Sequence, residues 1–382
     1  MRFSPLVERI AGEGSRAWDI HFQAWQRQRR GDNIIMLSVG DPDFSSPALA
    51  VEQAIASLKA GRTGYTPSNG EPQLRAAIAR WHRRATGMNV DPEEVVVTAG
   101  AQNALFISAL CLLAPGDEVI VSTPMYVTYE AFLQAAGAKV IEVPSGPERG
   151  FHLDPDALGA AVTERTRAIY LTTPHNPTGA VMTREELELV AELSRKHDLW
   201  VVSDEVYGAL TFEREHISPC VLPGMAERTV VISSLSKSHA MPGFRAGWMI
   251  APSGLAQHAY NLLLCSLYGL PGFVQDAAVV ALEKANHDLQ EVRDRYRARR
   301  DLVCDALKEG PGLVARKPEG GMFVMIDVRG TGLSAHDFAQ GLLDHHDVSV
   351  LPADGFGAAA AGHLRLSLTR RKMSWRKPAA AF

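Results

Sequence analysis

Residues 229–250 read TVVISSLSKSHAMPGFRAGWMI. Two apolar, β-branched runs, 229–234 and 246–252, flank a polar link that carries Ser234, Ser236, Lys237, Pro242, Gly243 and Arg245. A lysine in such a link is ordinarily a solvated loop residue. Its significance depends on whether the rest of the chain supplies a matching set of groups.

Working outward, the same kind of run recurs from about residue 95: EVVVTAG (94–100), DEVIVST (117–123), AKVIEVP (138–144), RAIYLTT (167–173), LWVVSDE (199–205), then TVVISS and AGWMIAP. The runs are separated by segments of helical length. Strands this continuously apolar leave no polar face for water, so the pattern predicts an α/β unit: a mostly parallel seven-stranded sheet sandwiched by helices. The ends read differently. A polar helix over 289–308, the run GGMFVMIDV, a helix over 334–346, VSVLP and GHLRLSL predict a smaller α+β domain built from both chain ends. The expected boundaries are 46–285 for the large domain and 1–45 with 286–382 for the small one. GFGAAAAG (355–362) reads as a loop or helix start.

Composition excludes several classes. The chain has 382 residues, 46% apolar and 21% charged, with net charge −4, so neither disorder nor a general affinity for nucleic acid or anionic membrane is expected. The arginine-rich run 293–300 is interleaved with Asp294 and reads as a solvated helix face. Cys111, Cys220, Cys265 and Cys304 are widely spaced, which fits free thiols in a reducing, cytoplasmic setting better than disulfides or zinc. His345 and His346 are adjacent and diverge on a helix, so no metal site is expected. The longest apolar stretch, 104–114, is far short of a membrane span and reads as a buried helix. No leader-like apolar region follows the N-terminus.

In doubly wound sheets, ligands sit beyond the carboxyl ends of the strands, so the residues after each run are where chemistry is expected. After the first run, Gly100 and Ala101 offer a helix N-terminus suited to an anion. Tyr126 follows the second and Asn176, in TPHNPTG, the fourth. Asp204 closes the fifth, where a buried carboxylate needs a positive partner, with Tyr207 three residues on. The sixth is followed by Ser234, Ser236, Lys237 and Arg245. The inventory is therefore a phosphate cradle, an acid for a ring cation, a phenol and an amide for a ring substituent, and a lysine amine. Pyridoxal 5′-phosphate requires that set. A nicotinamide dehydrogenase would instead carry G-x-G-x-x-G after the first strand, and TAGAQNAL does not.

GDPDF (40–44), YTPSNGEPQLR (65–75), TPHNPTG, SDEVY, SLSKSHAMPGFRAG and HLRLSL occur in the order found in one family. Over nearly its whole length the sequence resembles the class I/II aminotransferases, fold-type-I pyridoxal-phosphate enzymes with the aspartate-aminotransferase-like fold. The resemblance implies that Lys237 links to the cofactor aldehyde and Asp204 keeps its ring nitrogen protonated. Tyr207 and Asn176 would bond its phenolic oxygen, and Tyr126 would stack on the ring. Ala101, Gln102, Ser234, Ser236 and Arg245 would hold the phosphate, with Tyr65 of a neighbouring subunit, so that a homodimer with active sites at the interface is expected. Arg365 would clamp the substrate α-carboxylate, a task suited to its planar fork, with Gly40 close by. The implied reaction moves an amino group from an L-amino acid, arginine among the candidates, to a 2-oxo acid such as pyruvate.

A lyase or decarboxylase on the same scaffold is the alternative within enzymes. A ligand-sensing regulatory domain is the alternative outside them, though only 39 residues precede GDPDF. Asp19 reads as a surface or capping acid, with contact to a cationic substrate as the other reading, and His239 as a packed loop histidine. After HLRLSLT the chain departs from the family: RRKMSWRKPAAAF stands where an amphipathic helix is expected. One explanation is a frame change near Thr369, which the coding DNA decides.

Overall fold

After a two-residue strand, β1 (Ile35–Met36), the apolar runs become β2 (Val95–Ala99), β3 (Glu118–Thr123), β4 (Lys139–Pro144), β5 (Thr166–Thr172), β6 (Trp200–Asp204), β7 (Thr229–Ser234) and β8 (Ala246–Ile250) of a single sheet. The structure, a computed structural model, describes residues 2–10, 18–284, 286–308 and 310–370. The sheet order is β2-β8-β7-β6-β5-β3-β4, and β8 alone runs antiparallel to its neighbours, β2 and β7.

Alternation along the strands feeds two helical layers. Val230, Ile232, Val202 and Tyr170 pack with residues of the helices Ala101–Leu112 and Ser253–Ser266. Val231, Val97 and Trp248 point the other way, towards the helices Pro72–Thr86 and Gly272–Lys284. Each Val or Ile so buried contributes about 1.5–3 kcal/mol relative to exposure, which is why the inner runs carry no polar face, whereas the edge strand β4 exposes Lys139 and Glu142, contrary to expectation. The 101–112 helix is not fully buried as expected: Phe106 and Leu110 face outward, at 38% and 39% exposed.

The smaller sheet is antiparallel, with β9 (Val314–Arg316), β10 (Phe323–Asp327), β12 (Leu351–Pro352) and β13 (His363–Ser367) in the order β12-β13-β10-β9. Between them β11 (Val348–Ser349) pairs in parallel with β1, so the first strand of the chain joins its last third. The helices Asn286–Leu307 and Ala335–His346 cover this core, and Ser334 caps the second by accepting from Asp337 N–H at 3.0 Å. The Asn286–Leu307 helix begins earlier than its sequence suggests.

The run 293–300 is only partly the solvated face expected. Helical periodicity carries Tyr296, Arg300 and Val303 inward. Arg299 pairs with both oxygens of Asp43 at 2.8 Å, and the fully buried Arg300 pairs with both oxygens of Glu213 at 2.6 Å. The segment 355–362 forms short 3₁₀ turns, Ala353–Phe356 and Ala358–Ala360. Among the described residues the four cysteines are free, no helix is long and apolar enough to cross a membrane, and no His/Cys/Asp/Glu group is arranged to hold a metal. The departure from the family after residue 370 lies outside the described residues.

Candidate active site

Beyond the carboxyl ends of β5, β6 and β7 opens a cavity of about 250 Å³. Gly40, Ala101, Gln102, Tyr126, Asn176, Asp204, Tyr207, Ser234, Ser236, Lys237, Arg245 and Arg365 all line it. Tyr65 does not. It is 90% exposed, its ring edge-on to Tyr268 at 5.2 Å.

Strand alternation sets the floor. Asp204 turns into the cavity while Ser203 and Glu205 turn away and bond to each other at 2.9 Å. Tyr129 Oη donates to Asp204 Oδ2 at 2.9 Å, and Val206 N–H donates to Oδ1 at 3.2 Å. Burial pushes the Asp204 carboxyl up to about 6, against the pull of those two hydrogen bonds. Tyr129, which also meets Thr172 Oγ1 at 2.8 Å, is a site residue that the sequence reading missed. Its one signal is its place three residues after Tyr126.

β7 ends at Ser234, whose Oγ accepts from Ser236 N–H at 3.3 Å and caps the single turn Leu235–Ser238. That turn carries Lys237 into the cavity, where Nζ donates to Gly40 O at 2.7 Å. Burial lowers the amine to about 8; Arg365 and Arg245 add to the effect, and Asp41 and Asp204 oppose it. The link then turns through Arg245, which adopts the left-handed region at φ 55° and donates to Pro242 O at 2.8 Å and Ala99 O at 3.2 Å.

Two glycines make this corner. Gly100, at φ 81°, precedes the 101–112 helix without any side-chain cap, and a Cβ there would lie 2.5 Å from Arg245 Nη2. A Cβ on Gly247 would meet the Gly100 carbonyl carbon at 2.4 Å. The unpaired N–H groups of the helix's first turn, the two serines and Arg245 thus converge on one corner suited to a dianion.

The opposite wall comes from the smaller sheet. Arg365, on β13, is 1% exposed and has no carboxylate partner among the described residues. Nη1 donates to Asn176 Oδ1 at 3.0 Å and Nη2 to Ser38 O at 2.9 Å, while Nε is buried with no partner. Its guanidinium lies between the rings of Phe323 (4.2 Å) and Phe356 (4.8 Å). Burial lowers it to about 10. A buried cation that lines a cavity and has no carboxylate partner among the described residues is built to receive an anion. Asn176 Nδ2 donates to Tyr207 Oη at 3.4 Å, and burial drives both the Tyr207 and the Tyr126 phenols upward. A Cβ on Gly40 would meet the Phe323 ring at 2.4 Å, so a larger residue there would close the gap between the walls.

Trp18, Val39, Leu105, Thr172, Val206, Pro242 and Phe323 complete the lining, and of these the sequence had pointed only to Pro242, as part of the link. Asp19 is exposed in the first turn of the Asp19–Arg29 helix, where a carboxylate complements the helix dipole. His239 is buried, 2.8 Å from Ser238 Oγ and against the Trp81 ring.

Sheet order, cavity position and the presence of a half-buried lysine and a buried acid in one cavity define an enzyme of the aspartate-aminotransferase-like fold. The sequence model described as aminotransferase class I and II matches residues 32–375. The chain is 55% identical over 368 residues, 96% of its length and 94% of the relative's, to arginine–pyruvate transaminase of Pseudomonas aeruginosa. It is 37% identical over 362 residues, 94% of its length and 92% of the relative's, to aspartate/prephenate aminotransferase of Thermus thermophilus. The solved structure of Thermus thermophilus aspartate aminotransferase with maleate matches it with a TM-score of 0.94 at 35% identity, over 100% of this chain and 99% of that one. The chain belongs to the class I and II aminotransferases.

Proposed function

We infer that the chain uses pyridoxal 5′-phosphate to move an amino group from an L-amino acid, arginine foremost, to a 2-oxo acid, pyruvate foremost. The observation that carries this is one cavity lined by a half-buried lysine amine near 8, a buried carboxyl and a buried arginine with no carboxylate partner among the described residues. Arginine and pyruvate rest on the 55% identical relative.

The residues fit the cofactor. The corner of Ala101, Gln102, Ser234, Ser236 and Arg245 supplies donors and positive charge for a phosphate, and glycine at 100 and 247 keeps it open. Asp204 is the acceptor for a ring N–H, Tyr207 and Asn176 are donors for a ring oxygen, and Tyr126 offers a stacking face. When bound, the cofactor supplies an aldehyde that takes up the amino group and a cationic ring that accepts electrons. Lys237 Nζ would hold the cofactor through its aldehyde and, when the donor's amine takes that place, would be the base that carries the proton of the donor's α-carbon. An amine lowered to about 8 does this near neutral pH without a second base. Arg365 fixes the α-carboxylate with the N–H groups of Nη1 and Nη2 that Asn176 and Ser38 leave free, while Gly40 lets the backbone close on the same group.

A homodimer in which Tyr65 reaches the phosphate of the second copy belongs to this reading, and the high exposure of Tyr65 supports it. So do the domain limits 46–285 against 1–45 and 286–382, and a cytoplasmic location, supported by the four free cysteines. The test is borohydride reduction of the loaded enzyme followed by peptide mass analysis, expecting the adduct on Lys237 and loss of turnover in Lys237→Ala. A donor panel with pyruvate and 2-oxoglutarate, read as kcat/KM ratios, identifies the substrates. An adduct elsewhere, or a wild-type rate in Lys237→Ala, refutes the reading; release of ammonia in place of amino transfer would make the enzyme a lyase.

A further inference from the structure

We propose that Glu319, which does not line the cavity, is a positioning residue for Asn176 and Tyr207, tying the two segments that carry them to the strand that supports Arg365. The inference rests on the function proposed above for what Asn176 and Tyr207 touch.

Glu319 lies just before β10, and its atoms reach both segments. Its backbone N–H and that of Gly320 both donate to Gly179 O, at 3.0 and 2.9 Å, and its Oε2 accepts from Val181 N–H at 2.8 Å. These bonds hold the turn that contains Asn176, itself closed by His175 N–H to Ala180 O at 2.8 Å and Gly179 N–H to His175 O at 2.7 Å. Its carbonyl accepts from Phe212 N–H at 2.9 Å and its Oε1 from Arg214 Nη2 at 3.1 Å, which fixes the loop that begins with Tyr207. Gly321 N–H adds a bond to Leu210 O at 2.8 Å. Four residues beyond Glu319, Phe323 lies under Arg365 and edge-on to Tyr207 at 6.1 Å.

The side chain also carries charge. Its Oε2 lies 3.5 Å from His152 Nε2, and His152 Nδ1 lies 3.0 Å from Glu186, which closes the capping box of the Arg184–Lys196 helix. The tie therefore extends from β10 to the turn after β5 and on to that helix. The room for slack is small: a Cβ on Gly179 would meet Pro318 Cβ at 2.3 Å. A displaced Asn176 loses its place against both Tyr207 and Arg365, and misplacement by about 1 Å can cost up to about a hundred-fold in rate.

The test compares wild type, Glu319→Ala and Glu319→Gln in two states. In the cofactor-free protein, amide hydrogen exchange is followed by mass spectrometry; Glu319→Ala should speed exchange in 173–181 and 205–212 about ten-fold, with the 101–112 helix unchanged. In the loaded enzyme, the pH midpoint of the bound cofactor's visible absorbance and kcat are measured. Glu319→Ala should move the midpoint and lower kcat about ten-fold, with KM within about two-fold. Glu319→Gln, which keeps an acceptor for Val181 N–H, should show the same changes at smaller size, and it decides the matter if the alanine variant does not fold. Unaltered exchange in both loops, or an unmoved midpoint and kcat beside a lowered Tm, overturns the proposal. A wild-type protein with no cofactor absorbance would refute the cofactor reading instead, and the exchange arm would still decide the role of Glu319.

Discussion

Replacing Arg365 by methionine should leave the cofactor-free protein nearly as stable as wild type while removing most of its activity. The guanidinium is 1% exposed with no carboxylate partner among the described residues, and burial lowers its pKa to about 10. At 1.36 kcal/mol per pH unit, the folded state disfavours this charge by roughly 3 kcal/mol. Methionine removes that cost and keeps contact with Phe323 and Phe356, where sulfur on an aromatic ring is worth about 0.3–1.5 kcal/mol. Against this, Asn176 Oδ1 and Ser38 O lose their donors, at about 1–3 kcal/mol each. The contributions offset to within about 2 kcal/mol, unlike the 3–5 kcal/mol lost when one partner of a buried ion pair is removed. Losing a buried pair with the substrate carboxylate should cost about 2–5 kcal/mol, so kcat/KM should fall roughly 30-fold to several thousand-fold. Thermal melts of the cofactor-free protein and steady-state kinetics with the best donor measure the two halves. A Tm drop beyond about 10 °C, or an unaltered kcat/KM, would show that Arg365 is part of the architecture and not a carboxylate receptor.

Tyr129→Phe removes a hydrogen bond that holds the Asp204 carboxyl down. That carboxyl should rise further, so more of it is protonated at a given pH and the acid limb of kcat/KM should move to higher pH; an unmoved limb would mean that Tyr129 does not act on Asp204. Gly100→Ala puts a side chain on an extended, positive-φ backbone (φ 81°, ψ 169°) essentially reserved for glycine, at about 1–3 kcal/mol, and its new methyl meets Arg245. The dissociation constant for pyridoxal phosphate should rise about ten-fold or more, with Gly243→Ala, whose methyl meets no atom within 4 Å, as the unaffected control. His152 is raised to about 9, by Glu186 first and then Glu319, against burial. The group is protonated in both folded and unfolded chains below its unfolded value of 6.5, where its contribution is complete, and that contribution is lost as pH rises through 9. Solvent screening reduces it to about 1 kcal/mol, so wild-type Tm should fall between pH 6.5 and 9 by more than that of His152→Gln.

The seven strands were legible because six are apolar on both faces and the seventh, the edge strand β4, keeps a β-branched run although Lys139 and Glu142 are exposed. Strand direction was not, since an apolar run reads the same either way, and the reversal of β8 depends on how the 235–245 link returns. Asp204, Lys237 and Arg245 stood out as charged groups at strand ends. Tyr129 did not, because its value lies in a bond to a residue 75 positions away and its type suits a core equally well. The inward turn of Arg299 and Arg300 was hidden for the same reason, as Asp43 and Glu213 lie far off in the chain. Glu319 carries no sequence signal at all: its role comes from loops that only the folded chain brings together.

Because β8 doubles back on β7, with Ser234 opposite Gly247, the Lys237 amine and the Arg245 guanidinium ride on one short arch with both feet anchored in the sheet. Such an arch has no spare length, so inserting even one residue would alter the reach of both groups together. The facing wall, with Trp18, Val39 and Phe323, hangs from other parts of the chain. Donor preference can therefore be remodelled there while the reactive half of the site is left untouched, and engineering for new amines is best begun on that side.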